Sequence, residues 1–149
     1  ELWAYVPYNL LPHLYWLTEA SYPHIYYCDA KPKVFDAKVF PDDTHYIDSG
    51  TEPNWGTILV SGMRFGGGEI VADMDKTDGL TAPGPGDRTM SSAFFILNVT
   101  NPEEPPEVIA ELNFPGQGYT TCYPAVIPMK DKITTVSGGA IQENEIFVY

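Results

Sequence analysis

The chain has 149 residues, about the length of one ordinary domain, and carries 20 acidic against 8 basic residues for a net charge of −12. Nucleic-acid binding draws on clustered Lys and Arg; the densest cluster here, Lys31, Lys33 and Lys38, is interrupted by Asp36, so a nucleic-acid partner is disfavoured. No apolar run approaches the ~18 residues that a membrane-spanning helix needs, so no transmembrane segment is expected.

Asn9 to Glu19 is the one strong helix candidate. Leu10, Leu14 and Leu17 share a face with Leu11 beside them, Asn9 is placed to cap the first turn, and Pro12 falls early enough for its missing N–H to cost little. His24 to Asp29 is a β-type run, Ala30-Lys31-Pro32 a turn and Val34 to Phe40 a second run, which together predict a hairpin. Residues 41–53 are polar and turn-rich, as a surface loop is. Trp55 to Arg64 predicts a strand, with Ile58-Leu59-Val60 apolar enough for burial on both faces. Gly66-Gly67-Gly68 suits a turn with positive φ before a short run, Glu69 to Ala72. Asp73 to Thr89 is rich in Asp, Gly and Pro and reads as a long surface insertion. Ala93 to Val99 predicts a buried strand, and Glu107 to Leu112 alternates as an outer strand does, with Pro105-Pro106 guarding its edge. Tyr123 to Met129 and Lys132 to Ser137 open a further unit.

One pattern occurs twice. Val60-Ser61-Gly62 followed by Glu69-Ile70-Val71 returns, with the same inner spacing, as Val136-Ser137-Gly138 followed by Glu145-Ile146-Phe147. An apolar run, a Gly-containing break and a second apolar run predict neighbouring antiparallel strands of a repeated sheet unit. The expected class is all-β: a partial β-propeller built of antiparallel four-stranded blades, with one short helix near the N-terminus. A propeller closes with roughly four to eight blades, so the chain is expected to be a fragment of one propeller domain. Within it, residues 1–21 form a connecting, helical segment, 22–118 carry blade strands with a long insertion at 73–89, and 119–149 start the next blade.

Read in order, several segments resemble the C-terminal propeller domain of the PilY-type proteins, the type IV pilus assembly factors and tip-associated adhesins of bacteria. They are Trp3-Ala4-Tyr5-Val6-Pro7 with Leu10 to Leu14, His24 to Tyr27 with Asp29, Pro32 and Asp36, and above all Trp55 to Gly68. Ile96 to Glu103, Tyr119-Thr120 and Pro124-Ala125-Val126 complete the series. The resemblance implies an extracellular or outer-membrane protein that promotes pilus extension and adhesion, with pilins or other tip subunits and host or environmental surfaces as partners. It also implies an Asp-rich calcium loop. The candidate ligands here are Asp73, Asp75 and Asp78, with Thr77 and backbone oxygens helping. The loop departs from the EF-hand order, since Asp78 stands where Gly is expected and Gly84 where the closing Glu is expected. A solvated acidic loop is the alternative.

Cys28 and Cys122 lie in no Cys-x-x-Cys pattern. Two buried thiols, or a disulfide between equivalent points of successive units, both fit the spacing. His13, His24 and His45 show no ligand pairing, and Asp29 and Asp36 flank a turn without an acid/base partner. Ser61 and Ser137 sit in Val-Ser-Gly rather than a nucleophile elbow, and Asn98-Val99-Thr100 is a glycosylation triplet that ends a buried strand. The aromatics suit strand core, with a sugar- or surface-binding patch as the alternative.

The functional expectation is a non-enzymatic adhesin or pilus-assembly module, displaying loops from a rigid scaffold, with no organic cofactor. Two alternatives stay open: a quinoprotein-type dehydrogenase with pyrroloquinoline quinone, and a structural propeller of another secreted surface assembly.

Overall fold

A computed structural model describes residues 2–40, 54–74, 86–127, 130–131 and 144–145. The described fold is mostly β, with antiparallel sheets and one short helix. Its strands are β1 (Lys33–Phe40), β2 (Asn54–Gly62), β3 (Ile70–Asp73), β4 (Asp87–Met90), β5 (Phe94–Asn98), β6 (Glu107–Leu112), β7 (Lys130–Asp131) and β8 (Asn144–Glu145). The main sheet has four strands in the order β1-β2-β5-β6, all antiparallel. β3 and β4 form a separate hairpin inserted between β2 and β5, and β7 pairs with β8 in a third, two-stranded ladder.

The register shows why these residues make this sheet. Phe35 faces Ile58, and Val60 faces Ile96, so β-branched and aromatic side chains meet across β1, β2 and β5. With Ala37 they form one apolar cluster in which Ile58 and Val60 are buried. Leu97 and Phe95 are buried through the opposite face of β5. There the Tyr5 ring leans on Phe95, with centroids 5.5 Å apart. A second cluster, Leu10, Met63 and Ala93 with Tyr27 against it, closes the end of the sheet where the helix docks. β6 lies at an edge, with Pro105-Pro106 before it as expected, and Val108, Ile109 and Leu112 are exposed.

Several expectations are corrected. Tyr8–Thr18 is a 3-10 helix, so residues three apart eclipse; Leu10 and His13 are buried while Leu17 is 57% exposed. Asn9 is not its cap. Pro7 holds that position without a side-chain bond, and Asn9 lies buried inside the helix, where an acceptor from β6 serves the first turn instead. Residues 24–29 form no strand, and β1 takes β2 as its partner. The run 24–29 is spent on contacts with the turn after β2, and such tertiary demands override β propensity. Asp87 to Thr89 are not loop but belong to strand β4, paired with Val71–Asp73, and residues 75–85 of the insertion lie outside the described residues. Val60–Gly62 and Ile70–Val71 are not neighbouring strands either, because they end β2 and begin β3 in different sheets. Of the second copy, residues 136–138 lie outside the described residues, and Glu145 belongs to β8.

The chain leaves the main sheet through the turn Met63–Gly68. Gly67 has φ +72, and a Cβ there would sit 2.7 Å from Ser92 Cα. Gly66 has a different reason: a Cβ on it would lie 1.7 Å from the Tyr27 carbonyl oxygen, so the two backbones touch. Gly66→Ala should therefore cost about 3 kcal/mol or more of folding stability, while Gly118→Ala, whose Cβ would meet nothing within 4 Å, should stay within about 0.5 kcal/mol. Urea unfolding of both variants reads this directly, and equal midpoints would refute the close-approach account.

Candidate functional site

Two constructions organise the described surface. The first is built on Glu111 in β6. Its Oε2 accepts from Tyr5 Oη at 2.9 Å and from the Tyr8 N–H at 2.8 Å. Its Oε1 accepts from the Asn9 N–H at 2.7 Å and from Asn9 Nδ2 at 2.6 Å. The first N–H groups of a helix have no partner inside it, and a carboxylate there also complements the positive end of the helix dipole. Asn9 extends the link, since its Oδ1 accepts from the Ser91 N–H at 3.4 Å, at the entrance to β5. Burial, with the Glu111 hydrogen bond and charge adding, pushes the Tyr5 phenol well above its ordinary value.

The second construction is the turn Met63–Gly68 and what holds it. Thr120 Oγ1, buried, accepts from the N–H groups of Met63 (2.7 Å) and Arg64 (3.2 Å), and lies 3.0 Å from Ser92 Oγ. Arg64 sits at φ 57, in the left-handed region that non-glycine residues seldom occupy. Its guanidinium stands over the Phe65 ring and donates to Asp29 Oδ2 at 2.8 Å. His13 is buried beneath the turn, Tyr27 Oη donates to its carbonyl oxygen at 3.3 Å, and burial holds its imidazole below the ordinary 6.5.

Of the expected calcium ligands, Asp73 ends β3 directly opposite Asp87 in the hairpin, and Asp75 and Asp78 lie outside the described residues. No group of three or more His, Cys, Asp or Glu among the described residues could hold a metal ion. Cys28 and Cys122 are free thiols and both exposed, so neither is a buried thiol and they are not joined. Although Cys28 is exposed as a residue, desolvation, with the Glu111 charge adding, pushes its thiol up to about 11, which leaves it a poor nucleophile at neutral pH.

The remaining candidates have structural work. Ser61 Oγ donates to the carbonyls of Gly62 (3.3 Å) and Ala30 (3.5 Å). Asp36 accepts from Thr57 Oγ1 at 2.8 Å across β1 and β2. Asn98 of the glycosylation triplet is buried, and its Oδ1 accepts from Thr100 N–H and Oγ1, so the amide is not presented to solvent. His24 packs edge-on against Tyr26, with centroids 4.9 Å apart, and His45 lies outside the described residues. Glu111, Thr120 and Arg64 carry the two constructions, although the sequence pattern assigns none of them a structural role. Among the described residues, no helix is long and apolar enough to cross a membrane.

Over 104 residues the chain is 31% identical to a type IV pilus biogenesis factor PilY1 homolog of Xylella fastidiosa (strain Temecula1 / ATCC 700964). The match takes in 70% of this chain, which spans only 6% of that protein's length. No protein-family model matches the chain, and no solved structure matches it.

Glu111→Ala removes the one acceptor shared by these four donors, and should cost about 3 kcal/mol in chemical unfolding. A loss under about 0.5 kcal/mol, the range of an ordinary surface substitution, would show that the anchor is idle. Tyr5 also predicts a pH dependence. Its folded-state pKa is raised, so its contribution is complete below the unfolded value of about 10 and is lost as pH rises above it. Tyr5→Phe should cost about 1 kcal/mol at neutral pH and flatten the fall in stability above about pH 10. Identical alkaline melting slopes for the two proteins would refute it.

Proposed function

We propose that the chain is a non-catalytic β module of a type IV pilus biogenesis factor, acting outside the cell as a rigid scaffold whose loops meet pilus subunits and external surfaces. The observation that carries this is the 31% identity over 104 residues to a protein bearing that description. The antiparallel sheet β1-β2-β5-β6 has the strand number of one propeller blade, which suits a module repeated within a much longer protein. The distribution of exposed apolar groups agrees. Val108, Ile109 and Leu112 on β6, and Leu11, Tyr15 and Leu17 on a helix without any Asp, Glu, Lys or Arg, are the kind of surface that neighbouring parts of a larger protein cover.

Deleting the segment from its parent protein in a piliated bacterium tests the proposal. Surface pili and co-purification of the parent with pilin should both be lost. Normal pili by electron microscopy would overturn it. A bound-quinone band in the absorbance of the purified parent would assign the protein to the quinoprotein dehydrogenases instead.

A further inference from the structure

We propose that the turn Met63–Gly68, with the segments 26–33 and 119–123 packed beside it, forms a binding face for an acidic polysaccharide, whose sugar rings lie on Tyr26, Phe65 and Tyr119 and whose anionic groups meet Lys31 and Lys33. The face rests on the display role proposed above for its setting, but its chemistry is carried by separate observations.

The first is a series of rings. Tyr26 and Phe65 have centroids 6.0 Å apart, and Phe65 and Tyr119 6.3 Å apart. All three are open to solvent, at 49%, 49% and 56% exposure. Single exposed aromatics are ordinary, whereas a contiguous row is the mark of a recognition surface. The second is rigidity. Arg64 is held at positive φ, Gly66 is locked against the Tyr27 backbone, and Thr120 binds two consecutive N–H groups of the turn. Strain maintained by surrounding contacts points to function, and rings fixed in advance lose little freedom when a ligand arrives.

The third observation is charge. Lys31 and Lys33 direct their ammonium groups to one ring, that of Tyr123, at 5.7 and 5.5 Å from its centroid. Among the described residues no carboxylate pairs with either. Lys31 follows Asp29, the partner of Arg64, by two residues, and Tyr123 follows Tyr119 by four, so the lysines adjoin the ring series along both segments of a protein whose net charge is −12. Two ammonium groups beside a ring, with no carboxylate partner among the described residues, complement an anion, and covering them with another part of the protein would bury charge at a cost. This sets the face apart from the uncharged outer side of the helix.

A polysaccharide fits better than an acidic peptide. Tyr26, Phe65 and Tyr119 all lie outside the strands, so strand addition, one common mode of peptide binding, would not engage this row of rings. A sugar ring instead offers an apolar C–H face to an aromatic ring and hydroxyls to its rim. The Arg64–Asp29 pair places a planar donor and an acceptor together beside Phe65, with the guanidinium over one face of the ring.

The test is calorimetric titration of the chain with alginate oligosaccharides, a polyuronate, in EDTA so that no calcium bridges the two. Saturable binding is expected, weakening with added salt and falling about tenfold or more in Lys31→Gln/Lys33→Gln and in Phe65→Ala. Arg88→Gln, a cation stacked on Tyr8 instead, should keep the original affinity. Tyr119→Ala provides a second ring variant should Phe65→Ala melt early. Absence of saturable alginate binding, equal binding of neutral dextran, or affinities unchanged by these substitutions would each overturn the proposal. Equal affinity for poly-glutamate through the same lysines would overturn it in favour of an acidic peptide. Pilin co-purification does not enter this result, so failure here and failure of the pilus role are distinguishable.

Discussion

The carboxylate of Glu111 joins the N-terminal segment to strand β6 across 102 to 106 residues of chain, and the arrangement of everything at that end of the sheet follows from it. A sheet edge and a short helix each carry backbone groups that need partners, and here one side chain from the edge strand meets the needs of the helix start. Because the carboxylate fixes Tyr8 and Asn9, the 3-10 turn that follows brings Leu10 and His13 inward, and Leu10 meets Met63 and Ala93. A 3-10 run of eleven residues is long for that geometry and weak in its own hydrogen bonds, so external anchoring at its first turn decides whether it persists. Tyr5 adds the apolar half of the same contact by resting on Phe95, the register partner of Glu111.

From this anchored end the constraint passes to the turn Met63–Gly68. Met63 is fully buried against Leu10, its N–H is held by Thr120, and the Gly66 N–H closes on the Met63 carbonyl at 3.0 Å. The backbone has little room to relax, since a methyl group at Gly66 would strike Tyr27 and one at Gly62 would strike Thr120. A turn confined in this way can keep Arg64 in the left-handed region, a conformation that costs on the order of 1 kcal/mol or more when nothing enforces it. Rigidity at the core end and exposed rings at the surface end are thus two sides of one packing arrangement.

The strands were legible in the sequence wherever burial imposes an apolar run or alternation. Val34 to Phe40, Trp55 to Arg64, Ala93 to Val99 and Glu107 to Leu112 each coincide with a strand to within two residues at either end, and the triple glycine marks the turn where Gly67 takes positive φ. Pairing was less legible. The nearest β-type run to β1 is 24–29, and nothing in local pattern says that β1 instead reaches past residues 41–53 to β2. Asp87-Arg88-Thr89 is polar enough to read as loop, and becomes strand only because Val71 and Ala72 stand opposite. Glu111 looks like one outward polar residue of an alternating edge strand, and Thr120 like a loop threonine. Their roles depend on groups far away in the chain, which no window of neighbouring residues contains.

The described surface divides by how costly it would be to remove from water. The outer side of the helix and the outer residues of β6 are apolar, and covering them with another part of a long protein releases water without stranding a charge on the helix side. The face around Phe65 combines apolar rings with Arg64, Lys31 and Lys33, and burying it against ordinary apolar surface would leave two ammonium groups without counter-charge. A single module therefore has sides suited to assembly and a side suited to staying wet.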